Sequence, residues 1–180
     1  MRKILIIGSG KSSSYLIKYF LDKAETEKLF VTIGDINIEN AELLINKNPN
    51  AKAIKLDVFN DNARAEVIIN SDIVVSMLPA RFHIEVAKDC IKYNKSMVTA
   101  SYISKEMQEL NSAAKEKGLV FMNEIGLDPG IDHMSAMKVI DSIRNKGGEL
   151  HLFESFTFIV VQLLISLFRL SLLAPVPVGF

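Results

Sequence analysis

Short apolar runs alternate with longer amphipathic stretches along the first 150 residues. Lys3 to Ile7 is an isoleucine-rich run, too short for a buried helix. It predicts a strand covered on both faces. Ser12 to Leu21 then carries Tyr15, Leu16, Tyr19 and Phe20 at helical spacing. The pattern repeats with strands at Leu29 to Asp35, Ala51 to Leu56, Asp72 to Leu78, Lys95 to Ala100 and Leu119 to Asn123. Helices are expected between them at Ile38 to Asn48, Asn60 to Ile69, His83 to Tyr93 and Ser104 to Lys117. Pro79 stops the fourth strand, Ser104 opens the helix after the fifth, and Gly118 ends that helix. Cys90 falls on the apolar side of its helix with Val86 and is expected in the core. A further helix over Ile131 to Arg144, ended by Gly147 and Gly148, precedes a strand over Glu149 to Phe156. This alternation predicts an α/β fold with a doubly wound parallel sheet.

The texture then changes. Residues 156–174 hold one charge, Arg169, and the spacing of Leu163, Leu164, Leu167, Leu170 and Leu173 predicts a helix across roughly Ile159 to Leu173. Three origins compete for this stretch: a frameshifted tail, a helix folded back on an exposed apolar face, and a tail anchor. The first is preferred and the anchor ranks last, because Pro175 to Phe180 carries no charged flank. The tail is expected to pack poorly and to promote aggregation.

The first strand runs directly into Gly8-Ser9-Gly10, and strand, glycine turn, helix is the context that gives this pattern chemical meaning. Gly8 allows the tight turn and Gly10 lets the backbone approach a pyrophosphate, which faces the unpaired N–H groups of the helix start. Ser13 stands where a third glycine is usual; it is small, and its hydroxyl could donate to phosphate. Lys11 and Ser12 add a cation and another hydroxyl. Asp35 ends the second strand, where a Rossmann fold places an acid on the adenosine ribose, and its charge favours NAD over NADP. Asp57 is either an adenine contact or the N-cap of the next helix. Met77-Leu78-Pro79 should lie under the nicotinamide half. These residues, with Ser101, Tyr102 and Asp128, all fall at strand carboxyl ends, where such sheets bind ligands.

With 180 residues there is room for one full domain and part of a second. A net charge of zero leaves no electrostatic footprint for nucleic acid. The single cysteine and an N-terminus lacking signal-peptide features point to a reducing, cytoplasmic setting. No metal site is expected.

At Thr99-Ala100-Ser101-Tyr102-Ile103-Ser104, and along Asn123 to Met134, the chain resembles the saccharopine dehydrogenases of lysine metabolism. The resemblance spans Met1 to about Thr157. It implies an oxidoreductase that oxidises saccharopine at its secondary amine with a nicotinamide cofactor, NAD or NADP. The imine is then hydrolysed to glutamate and aminoadipate semialdehyde. Carried over by position, Gly10 to Ser13, Asp35 and Asp57 match the cofactor segments, and Leu78, Thr99 and Ala100 the strand ends near the nicotinamide. Ser101 and Tyr102 match residues touching saccharopine. Leu127 and Asp128 match a loop closing over both ligands.

Tyr102 and Asp128 are the candidates for the acid–base group, while Asp132 and His133 read at least as well as a helix start. The implied organisation is a cofactor domain over residues 1–130, the start of a substrate and dimerisation domain over 131–157, and a divergent tail over 158–180. On that reading the chain is a fragment with little activity, whose full-length relatives are dimers. A carboxynorspermidine synthase-like reductase and a non-catalytic NAD(H)-binding module are the alternatives.

Overall fold

The computed structural model describes residues 1–160 and 163–171, which fall into two units, Met1–Gly126 and Leu127–Phe180. In the first unit, strands β1 (Arg2–Ile7), β2 (Leu29–Asp35), β3 (Ala51–Lys55), β4 (Ile73–Ser76), β5 (Ser96–Thr99) and β6 (Phe121–Met122) form one sheet. Their order is β3-β2-β1-β4-β5-β6, and every adjacent pair is parallel. The connecting helices are α1 (Ser14–Lys23), α2 (Ile38–Ile45), α3 (Asp61–Ile69), α4 (His83–Lys92), and the pair α5 (Lys105–Glu109) and α6 (Asn111–Glu116). The chain starts in the middle of the sheet, builds outward to β3, then crosses back beyond β1 to β4. That reversal leaves a crevice between the carboxyl ends of β1 and β4.

The alternation of side chains along β1 explains why both faces are covered. Leu5 and Ile7 join Val74, Ile68, Val86, Cys90 and Met97 in one core, while Ile4 and Ile6 join Ile17, Val31, Ile33 and Ala41 in the other. Each such fully buried aliphatic chain contributes roughly 1.5–3 kcal/mol. Cys90 is buried as expected, and burial, reinforced by the neighbouring Asp89 charge, pushes its thiol up to about 12. The face of α1 differs from the spacing argument: Ile17 is fully buried and Leu16 and Phe20 pack beside it, whereas Tyr15 and Tyr19 point to solvent. Strand β4 begins one residue later than expected because Asp72 turns its carboxylate back to accept from Lys3 N–H at 2.7 Å. The single helix expected from Ser104 breaks at Leu110, whose N–H reaches back to Met107 O and whose side chain packs on the first core. Ser104 does cap the start of α5 through Met107 N–H.

One buried cation ties the α3 and α4 layer together. Arg64 is 4% exposed and donates to the Asp89 carboxylate at 2.7 Å, the Asp61 carboxylate at 3.0 Å and the Val58 carbonyl at 2.5 Å.

In the second unit, helix α7 (Ile131–Asn145) is followed by strands β7 (Leu152–Val160) and β8 (Leu163–Ser171). These two pair antiparallel, from Leu152 opposite Ser171 to Val160 opposite Leu163. The helix expected over Ile159 to Leu173 is therefore not formed: Ile159 and Val160 end one strand and residues 163–171 make the other, while residues 161, 162, 172 and 173 lie outside those described. Phe156-Thr157-Phe158-Ile159-Val160 is rich in β-branched and aromatic residues, and a long partner strand outweighs the leucine spacing. Among the described residues, no helix is long and apolar enough to cross a membrane.

Replacing Arg64 by Met should lower unfolding stability by roughly 3–5 kcal/mol, because Asp89 is left as an unpaired, mostly buried charge. The double variant Arg64→Met with Asp89→Leu should recover much of that loss in chemical denaturation. A single variant as stable as the parent would show that this network carries no load.

Candidate functional site

The turn after β1 is built by close approach. Gly8 has φ +106°, and a Cβ there would lie 2.7 Å from the Met77 carbonyl oxygen. Only glycine satisfies both constraints. Gly8 N–H donates to Gly34 O and Met77 N–H to Ile7 O, each at 2.8 Å, so β1, β2 and β4 are stitched together where they end. Gly10 is different: its φ is ordinary, and a Cβ there would meet no protein atom within 4 Å. Its freedom is space, the space a pyrophosphate would take. A 3-10 turn over Lys11–Ser13 leads into α1, and the first N–H groups of a helical segment have no partner inside it. That edge fits a dinucleotide phosphate.

Ser13 shapes this turn from within. It is 1% exposed and its hydroxyl donates to Gly10 O at 2.7 Å, so the expected phosphate donor is already engaged. Lys11 and Ser12 are exposed at the mouth of the turn.

Asp35 closes the other side. Its Oδ2 accepts from both the amide and the hydroxyl of Ser9, the latter at 2.7 Å, and its Oδ1 accepts from Asn37 N–H at 2.9 Å. Burial pushes the carboxyl up, but the hydrogen bonds from Ser9, Asn37 and Ile36 outweigh it and hold the pKa below the ordinary value. A carboxylate offers about four acceptor sites, and the hydrogen bonds from Ser9 and Asn37 take three of them. Asp35 fastens the glycine turn rather than presenting a bare charge.

Asp57 is a turn residue, accepting from Phe59 N–H at 3.0 Å, and the cap of α3 is Asn60, through Ala63 N–H. The alternative of Asp57 as that cap is thereby removed. Gly8, Gly10, Asp35, Asp57, Leu78 and Pro79 all line one crevice of about 350 Å³ at the carboxyl ends of β1 to β4. Phe59 and Phe82 join its wall, edge to face at 4.8 Å and 86°. A larger cavity of about 720 Å³, among Met1, Glu66 and Asn70, holds none of the motif residues.

Beyond β4 and β5 lies a group that sequence reasoning missed. His83, at the first turn of α4, is 3% exposed. Its Nδ1 is 2.8 Å from Ser76 Oγ, its Nε2 is 2.8 Å from Ser101 Oγ and 3.3 Å from Thr99 Oγ1. Burial lowers its pKa, so the ring is neutral near pH 7. The signal available was a histidine one turn after Pro79, but nothing in the sequence joins it to Ser76 and Ser101. Thr99 is buried, Ala100 and Ser101 are half-buried, and Tyr102 is exposed. Thr99 and Tyr102 line a cavity of about 410 Å³ with His83, Arg81 and Asn123.

Leu127 and Asp128 belong to the second unit, in the turn ahead of α7, where Leu127 O accepts from Asp132 N–H. Asp132 also accepts from Gly130 N–H at 2.9 Å and pairs with His133 at 2.8 Å, the arrangement of a helix start.

Residues 4–122 match the model of the saccharopine dehydrogenase NADP binding domain. The chain is 37% identical over 156 residues to a saccharopine dehydrogenase [NADP(+), L-glutamate-forming] of Schizosaccharomyces pombe, and 39% over 155 residues to that of Saccharomyces cerevisiae. These alignments cover 87% and 86% of this chain but 34% of each relative, so the chain spans about a third of their length. The apo structure of the Saccharomyces cerevisiae L-Glu-forming enzyme superposes with a TM-score of 0.79 at 37% identity, over 87% of this chain and 34% of that one.

The buried neutral histidine has a consequence for stability. The unfolded chain binds a proton at His83 near its ordinary 6.5 and the folded chain only below that. Folding is therefore weakened as pH falls below about 6.5, until the folded ring also protonates. A His83→Gln variant should lose this part of the pH dependence in denaturation from neutral pH downward. Parallel curves for parent and variant would contradict the assignment.

Proposed function

The chain belongs to the saccharopine dehydrogenase family, and we propose that it is the cofactor-binding part of an NADP-dependent oxidoreductase acting on saccharopine in lysine metabolism. One observation carries this reading. The glycine turn, Asp35, Asp57 and Pro79 meet at a single crevice at the reversal of strand order. The cofactor supplies hydride acceptance and donation there. Gly10 and the start of the Lys11–Ser13 turn hold its pyrophosphate, Asp57 and Phe59 face the adenine, and Leu78, Pro79, Thr99 and Ala100 lie toward the nicotinamide. Ser101 and Tyr102 touch the substrate. Tyr102 is the group of the first unit available to move a proton at the substrate amine.

NADP is favoured over NAD. The matched domain model is of the NADP-binding kind, and both fungal relatives carry NADP(+) in their names. The expectation of NAD rested on the charge of Asp35, and that carboxylate is turned toward Ser9 and Asn37. Residues 131–157 are read as the opening of a substrate and dimerisation domain. A cytoplasmic location completes the proposal, supported by a single cysteine that is buried and inert.

Fluorescence titration with NADPH and NADH tests the cofactor reading. NADPH should bind at least as tightly as NADH. Asp35→Asn should weaken both, because it loosens the Ser9 turn. A variant that switches preference instead would restore Asp35 to a ribose-reading role. In a saccharopine-dependent assay of NADPH formation, this chain should turn over far more slowly than a full-length relative, because water exclusion and substrate positioning need more wall than residues 1–126 provide. Comparable turnover would contradict that.

A further inference from the structure

The hydroxyl protons around His83 can be assigned by elimination. Ser76 is fully buried, and among the described residues its hydroxyl has one hydrogen-bond partner, His83 Nδ1 at 2.8 Å. If Nδ1 carried the ring proton, Ser76 would accept it and its own buried proton would have no acceptor, a costly arrangement. Ser76 therefore donates to Nδ1. The neutral ring then carries its proton on Nε2, which donates to Ser101 Oγ at 2.8 Å. Thr99 Oγ1 accepts from Ser101 N–H at 3.3 Å and lies the same distance from Nε2.

Ser101 is the half-buried end of this chain of bonds. With His83 supplying a proton to one lone pair, its own O–H is left to point away from the ring. The neighbouring cavity presents Arg81, Tyr102 and Asn123, with Glu106 as its one acidic lining residue among those described. We propose that His83 is a positioning residue that fixes the Ser101 hydroxyl as a hydrogen-bond donor to a carboxylate of the bound substrate. This rests on the reading of Ser101 as a substrate contact. The ring itself moves no proton. Its part is to decide which way the Ser101 hydroxyl faces, through a tautomer set by Ser76 from the opposite side.

Long-range proton–nitrogen spectra of the ¹⁵N-histidine-labelled chain at neutral pH read the tautomer directly. The proposal requires Nε2–H; an Nδ1–H ring or an imidazolium overturns it, whatever any variant does. The second measurement follows the Ser101 and Tyr102 amide signals of the NADPH-bound chain as saccharopine is added. His83→Asn, which keeps only the Ser76 side of the ring's bonding, should weaken the saccharopine response by at least about tenfold, with NADPH binding retained. His83→Gln, whose amide can still donate to Ser101, should restore most of it. Equal responses in parent and His83→Asn would overturn the proposal. If the parent ignores saccharopine, the substrate reading fails, and glutarate as a plain dicarboxylate takes its place. A glutarate response lost in His83→Asn then supports the donor role, and no response to either ligand overturns it.

Discussion

The approach of Gly8 to Met77 is the constraint on which the rest of the first unit depends. A side-chain atom at position 8 would sit 2.7 Å from a carbonyl oxygen, so β1 and β4 can end side by side only because no such atom exists. That contact fixes where the chain turns out of the sheet. It thereby aims Gly10 and the Lys11–Ser13 turn over the crevice, with Asp35 clamping Ser9 from β2. The positive φ at Gly8 and the open space at Gly10 are separate requirements, and the two glycines meet one each. Ser13 can replace a third glycine because its hydroxyl folds inward onto Gly10 O instead of occupying the ligand's space.

Much of the sheet was legible because buried parallel strands are short apolar runs with few alternatives. The second strand begins and ends where the pattern placed it, and the crevice residues were found because strand ends are marked by the switch from apolar to polar. Non-local choices were not legible. Whether Tyr15 or Ile17 faces the core depends on which sheet residues stand opposite, and a tyrosine and an isoleucine count alike in a periodicity argument. The break at Leu110 and the β7–β8 pairing are decided by tertiary partners, which local spacing does not encode. Asp35 was found in place, but its hydrogen bonds were not legible, since their donors come from a loop 26 positions away as well as from its own turn. His83 was missed altogether for the same reason: its partners Ser76, Thr99 and Ser101 sit on two other strand ends.

Function follows from what gathers at one end of the sheet. A glycine turn with open space at Gly10 lies over β1, an engaged acid on β2, an aromatic wall after β3 and β4, and a buried histidine–serine chain between β4 and β5. Neutral partners surround the histidine, so burial is free to keep it uncharged, while the buried cation Arg64 is held in the helical layer by carboxylates and a carbonyl. Polar chemistry at the crevice and charge pairing behind it are thus kept apart within the same unit.

The central claim is that a nicotinamide dinucleotide occupies the crevice fastened by Gly8, Ser9 and Asp35. Hydrogen–deuterium exchange with and without NADPH tests it most directly. Added NADPH should slow exchange in peptides covering residues 8–13, 35–37 and 57–59, and leave those from Glu66 to Asn70 beside the larger cavity unchanged. Protection confined to the Glu66–Asn70 region, or none at all in a folded protein saturated with NADPH, would contradict the account.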